Sequence, residues 1–171
     1  QAGFPSSLFT SLADSAPKVF CCSDFVANSC IRTPAMIADL VESGDIFRPC
    51  DGFYFEKRVQ DLLSLVEEKD LQLAGSDRSV SRFKELLRRE RQREMVRIAW
   101  RDLAGWADLS GTMEDLSAFA DACITGSLSY LYSLQCRKLG TPRAHDGSNM
   151  NMVVVGMGKL GARELNFSSD V

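Results

Sequence analysis

Histidine is almost missing from this chain: His145 is the only one among 171 residues. A Ser-His-Asp or Cys-His hydrolase would have a single candidate base, and that residue stands in a polar stretch beside Asp146, as a surface residue would. Metal-spaced cysteines are missing as well. The six cysteines occur singly or as the adjacent pair Cys21-Cys22, with no C-x-x-C. That argues against a structural zinc site and for reduced, mostly buried thiols in a cytosolic protein. No apolar run reaches the roughly 20 residues that a bilayer-spanning helix needs. The opening "QAGFPSSLFT" has neither the basic start nor the sustained apolar stretch of a signal peptide. Excess positive charge is also absent, the net charge being −3, so nonspecific binding of nucleic acid or another polyanion is not expected.

What remains is a chain that is 45% hydrophobic, long enough for one core and part of a second domain. It begins without methionine and stops at Asp170-Val171, and it reads as a piece of something longer. The first twenty residues, with Pro5, Pro17 and many serines, read as an irregular lead-in. Ser23 and Thr33-Pro34 are helix-start signals, and Gly44 ends the second of those helices. Phe55, Val59, Leu62, Leu63 and Val66 recur at helical spacing. A long helix is expected from about Ser79 to Trp106. Its middle, "RRERQRE", reads as a solvated, ion-paired face, although an arginine there could also reach a bound phosphate. Ser110-Gly111-Thr112 is read as its break, with Thr112 and Asp115 as a variant capping box. A further helix with a wide apolar stripe, Leu116 to Leu139, ends at Gly140. The tryptophans and the Tyr130–Tyr132 pair fall in helical stripes, where core packing is the default. Thr141 to Asn151 has loop composition, and only then does a strand pattern appear, "MVVV".

Directly after that run stand Gly156, Gly158 and Gly161, in G-x-G-x-x-G spacing. Glycines let backbone amides reach phosphate oxygens because no Cβ intervenes. A P-loop is excluded, since Lys159 is followed by Leu160 rather than Ser or Thr. A dinucleotide-binding Rossmann turn meets the spacing, but its acidic ribose contact belongs about twenty residues beyond the glycines. Asp170 is too near, and a Rossmann turn has no need of Lys159. Nucleotidyl transfer fits better. It needs a backbone turn for the phosphates and, close by, carboxylates for Mg²⁺, which neutralises charge on the reacting phosphate. Asp170, after Ser168-Ser169 at the start of a neighbouring strand, would share a metal with a carboxylate two residues on, because strand side chains alternate in direction. A truncated NAD(P)-binding Rossmann domain and a non-catalytic helical interaction module stay open as alternatives.

"GMGKLGARELNFSSDV" resembles the nucleotidyltransferase signature of the bacterial glutamine synthetase adenylyltransferase/adenylyl-removing enzymes. "SDFVANSCIRTP", "RQREMVRIAWRDL" and "CRKLGTP" resemble the segments that precede it, so the likeness runs from about Cys22 onward. The resemblance implies a mainly α fold: a helical region over 1–148, then, over 149–171, the first strand, glycine turn and metal-ligand strand of an α/β polymerase-β-like nucleotidyltransferase domain. It implies a cytoplasmic, Mg²⁺-dependent enzyme of nitrogen regulation that uses an adenine nucleotide (ATP or ADP). Glutamine synthetase would be its protein substrate and a PII-type signal protein its regulator. The form of the motif is similar to the half that removes AMP from a tyrosine by phosphorolysis, giving ADP. In those terms Asp170 is the catalytic metal ligand, and Gly156, Gly158 and Gly161 face the phosphates. Lys159, Ser168 and Ser169 are phosphate contacts, the serines having a strand-start turn as their structural alternative. Glu164 and Asn166 are read as helix-end structure. Ala162 and Arg163 stand where some relatives have glycines. The 171 residues alone are expected to be inactive, since the second carboxylate of D-x-D would be residue 172.

Overall fold

The structure, a computed structural model, describes residues 6–69 and 77–169. Six helices account for most of it: α1 Ser6–Cys22, α2 Asp24–Arg32, α3 Pro34–Glu42, α4 Gly52–Lys69, α5 Asp77–Ala104 and α6 Leu109–Leu139. A single short turn of helix, α7 Gly158–Gly161, follows. The mainly helical expectation holds, and α5 organises the whole. At 28 residues it is about 42 Å long at 1.5 Å per residue, and it touches α1, α2 and α3 as well as α4 and α6.

The lead-in is the first departure from the sequence reading, because α1 is a helix despite Pro17 within it. Burial outweighs propensity here. Leu12, Ala16 and Val19, at helical spacing, pack with Val96, Ala99 and Trp100 of α5, and the Trp100 indole donates to Ser15 Oγ at 3.0 Å. Ser23 caps α2 by accepting from the Val26 amide, and Pro34 opens α3. Gly44 turns the chain at φ +76°. Asp51 accepts from the Tyr54 amide at 2.9 Å in the first turn of α4. Tyr130 is buried against Phe83, as the stripe implies, whereas Tyr132 is half-buried and gives its hydroxyl to the Met150 carbonyl.

The second departure concerns α5 itself. Only part of "RRERQRE" is a solvated face: Arg88, Arg89 and Arg91 are exposed, but Glu90, Arg93 and Glu94 are buried, as are Arg97 and Arg101 one and two turns further on. Arg93 donates to Asp39, Asp45 and Glu94, and Arg97 to Glu94 at 2.6 Å and Asp115 at 2.9 Å. Tyr54 Oη accepts from Arg93 and lies within 3.1 Å of both Asp45 and Glu94, to which it gives its one proton in turn. Arg58 grips Glu90 through two bonds, at 2.6 and 2.9 Å. Charges can be buried at acceptable cost only when paired and hydrogen-bonded in this way. Arg101 is the exception, its Nε and Nη1 lacking a hydrogen-bond partner and its Nη2 reaching only the Trp106 carbonyl, at 3.5 Å.

The third departure is the α5–α6 junction. Gly105, at φ +77°, ends the turn after α5, and Asp108 caps α6 through the Gly111 amide at 2.8 Å. Thr112 and Asp115 are no capping box: the Thr112 hydroxyl donates to Asp102 and Asp115 is given to Arg97. The cysteines are all free, but Cys21 and Cys22 are exposed and the other four are half-buried, so they are less buried than expected. Among the described residues no helix is long and apolar enough to cross a membrane.

Candidate functional site

The glycine motif lies on the outer side of α6. Its approach is fixed by a small turn in which Arg143 and Asn149 form an isolated antiparallel bridge and Asp146 accepts from the amide and hydroxyl of Ser148. His145 is exposed in that turn. Residues 152–155 then run without a ladder among the described residues, and Val153 and Val155 are 78% and 77% exposed. A strand acquires its hydrogen bonds only from a neighbouring strand, and the described residues supply none.

The turn itself requires glycine. Gly158 has φ +57°. A Cβ on Gly161 would lie 2.5 Å from the Gly156 carbonyl oxygen and 3.0 Å from its carbon, backbone atoms that cannot swing away. Gly156 and Gly161 therefore pack backbone to backbone, while Leu160 reaches inward toward Met95, Ile98 and Leu116. Lys159 is exposed at the crest, with no carboxylate partner among the described residues.

Beyond the turn the chain is pinned to α6. Leu165 is buried with Ile98, Leu116 and Ala120, and its amide donates to Ser117 Oγ at 3.4 Å. Arg163 places two bonds on Glu114, at 2.8 and 2.6 Å, and one on Asp121 at 2.9 Å. The hydrogen bond from Arg163 holds the Glu114 carboxyl below its ordinary range. None of these residues was singled out for a site by the sequence reading. The available signal was Glu114, Ser117 and Asp121 at i, i+3 and i+7 on one helical face, with one arginine just after the glycines.

Ser168 and Ser169 both donate to Asn166 Oδ1 at 2.9 Å, and the Asn166 amide donates to Ser169 Oγ at 3.2 Å. Asn166 is thus the hub of a tight turn that delivers the chain to Asp170, which itself lies outside the described residues. A groove of about 660 Å³ runs beside this turn, lined by Met95, Phe119, Ile124, Leu128 and Phe167, with Arg91 at its edge. The structure thus brings Gly156, Gly158, Lys159 and Gly161 into one turn and Ser168 and Ser169 into the next. The close Gly156–Gly161 contact is one between backbones that a Cβ would break, so the turn depends on glycine. The described residues contain no group of three or more acidic, histidine or cysteine side chains able to hold a metal ion.

A helical body that ends in a glycine turn matches, over residues 13–171, the family described as glutamate-ammonia ligase adenylyltransferase. The chain belongs to that family. Its relatives include proteins named bifunctional glutamine synthetase adenylyltransferase/adenylyl-removing enzyme. That of Nitrosococcus oceani is 46% identical over 87% of this chain and 14% of its own length. Those of Shewanella loihica and Pseudomonas aeruginosa are 41% and 40% identical, each over 90% of this chain and 15% of its own length. The chain thus spans about one seventh of the length of the curated relatives it matches.

Proposed function

We propose that this chain forms the helical body and the phosphate turn of a nucleotidyltransferase that controls glutamine synthetase, and that its reaction is the phosphorolytic removal of AMP from a tyrosine. A phosphate oxygen attacks the AMP phosphorus, the tyrosyl oxygen leaves with the bonding pair and is protonated, and ADP is released. The observation that carries the reading is the family match through the glycine turn itself, residues 13–171, together with a turn that excludes any Cβ at Gly161.

In this reading the backbone of Gly156–Gly161 comes close to the phosphates, and Lys159 offsets their charge from the crest. Asn166 sets the Ser168-Ser169 turn, and Asp170, next in sequence, is the metal ligand. When bound at Asp170, Mg²⁺ would neutralise charge on the phosphoryl group. A cytoplasmic location and regulation by a PII-type protein belong to the same proposal.

The test uses a protein of the relatives' length that carries this segment. With adenylylated glutamine synthetase, inorganic phosphate and Mg²⁺, it is expected to yield ADP and unmodified tyrosine. Asp170→Asn should lower kcat by roughly 100-fold or more, the scale of losing one group that stabilises transition-state charge. Gly161→Ala should fail as well, by opening the turn. Transfer of AMP from ATP that depends on Asp170, without phosphorolysis, would assign the segment to the adenylylating reaction instead. Binding of NADH without Mg²⁺ would sink the nucleotidyltransferase reading altogether.

A further inference from the structure

We propose that Arg163 is a positioning residue, locking the glycine turn to α6 through Glu114 and Asp121 so that the phosphate turn and the Asn166–Ser169 turn keep one orientation on the helical body. The catalytic consequence rests on the nucleotidyltransferase reading; the mechanical one does not.

The geometry is unusual for a surface arginine. Arg163 has φ +57°, and it is the one described non-glycine residue with positive φ. That region is sparsely used by residues with a side chain, and glycine would occupy it freely. The arginine is held there by three charge-assisted bonds, two from its planar fork to the Glu114 carboxylate and one to Asp121. A lysine could not reproduce this pattern, since it offers a point charge rather than a fork. Glu114 and Asp121 lie two turns apart on the same face of α6, so the guanidinium straddles the helix lengthwise. Two residues on, Leu165 enters the core and its amide meets Ser117 between those carboxylates. The chain is therefore held at two successive outward and inward side chains. Upstream, the Tyr132 hydroxyl holds Met150 to the same helix, and the intervening residues 151–159 are exposed. The glycine turn hangs between these two attachments.

Magnitude separates a positioning role from a stabilising one. Arg163, Glu114 and Asp121 are each about half exposed, and exposed ion pairs add little to global stability. What three bonds in fixed geometry can supply is orientation. A misplacement of about 1 Å in a reacting group costs on the order of 100-fold in rate.

The experiment compares Arg163→Ala, Arg163→Lys, the pair Glu114→Ala with Asp121→Ala, and all three alanines together. In the 171-residue chain, amide exchange at Gly161 to Arg163 should speed up by about 10-fold or more in every variant, with the melting temperature nearly unchanged. Unchanged exchange would overturn the clamp whether or not the chain belongs to a phosphorolytic enzyme. In the family-length protein, Arg163→Ala and the Glu114/Asp121 pair should lower kcat/KM by similar factors, of roughly 10-fold to 100-fold. The triple variant should be no worse than either, because the three groups act as a unit. Additive losses, or a loss confined to Arg163, would show that the guanidinium touches substrate and overturn the positioning role. If the unaltered protein neither removes nor adds AMP, the functional reading fails while the exchange result still decides the clamp.

Discussion

At the scale of single residues, two glycines set distances that no other residue allows. Gly161 lets the glycine turn close on Gly156. Gly126 does the same in the interior, where a Cβ would lie 2.3 Å from Val59 Cγ1, between α4 and α6. A valine is stiff about χ1, so the side chain cannot simply step aside. Gly126→Ala should therefore destabilise the fold by about 1–3 kcal/mol, the usual cost of overpacking, measured as a lower urea midpoint. Adding Val59→Ala frees the space, and the double variant should lose less than the sum of the two singles. An additive result would mean that the cost of the added methyl does not come from Val59. In the sequence, Gly126 is only a weak helix residue within an apolar stripe, and nothing in its neighbourhood announces a helix crossing. Arg163 is equally mute there, because its partners lie 42 and 49 positions away. The glycine turn was legible because its requirement is local: three glycines in fixed spacing after an apolar run.

At the scale of the element, α5 shows where pattern reading stops working. Its charged residues fall at i, i+3 and i+4, spacing that serves a solvated face and an internal ion network equally well. The difference is made by α1, α2 and α3, which cover that face with Asp39 and the neighbouring Asp45, while α4 and α6 bring Tyr54, Arg58 and Asp115. The apolar halves of the helix were read correctly because burial and hydrophobic spacing coincide there. The same misreading placed the start of α6 too late: Asp115 resembles a capping residue until its carboxylate is seen on Arg97. A network of this kind is costly to break from one side. Arg97 has a fully buried side chain, and Arg97→Ala leaves Glu94 and Asp115 without their shared cation. The expected loss is about 3–5 kcal/mol in chemical unfolding. Arg82→Ala on the exposed Arg82–Glu85 pair should cost less than about 1 kcal/mol. Equal effects at the two sites would refute the account of α5 as a buried network.

At the scale of the whole molecule, Arg93 ties Asp39 and Asp45 to α5, beside the apolar contacts of Val19, Val26 and Leu40 with Val96 and Trp100. Arg97–Asp115 ties α5 to α6, so protonation of the network bears on how firmly the helices hold together. Two carboxylates bear on this with opposite signs. Burial pushes the Asp45 carboxyl up, but the hydrogen bonds it accepts from Arg93, Tyr54 and Arg48 outweigh burial and hold it below its ordinary 3.8. The folded state then binds that proton more weakly than the unfolded one. Asp45 accordingly contributes stability that is present above its unfolded value and is lost as pH falls through the folded value. For Asp115, burial outweighs Arg97 and raises the carboxyl above 3.8. The folded state takes up that proton first, and the resulting term favours folding as pH falls. The urea midpoint measured from pH 6 to pH 3 (about two units above the ordinary carboxylate value to about one below it) separates the two. Asp45→Asn removes the first group and should flatten the loss of stability below about pH 4; Asp115→Asn removes the second and should steepen it. Both variants lower stability at neutral pH, so only the slopes carry the test. Parallel slopes in the two variants would mean that neither carboxylate couples the packing of the helices to pH, and that acid acts on this molecule elsewhere.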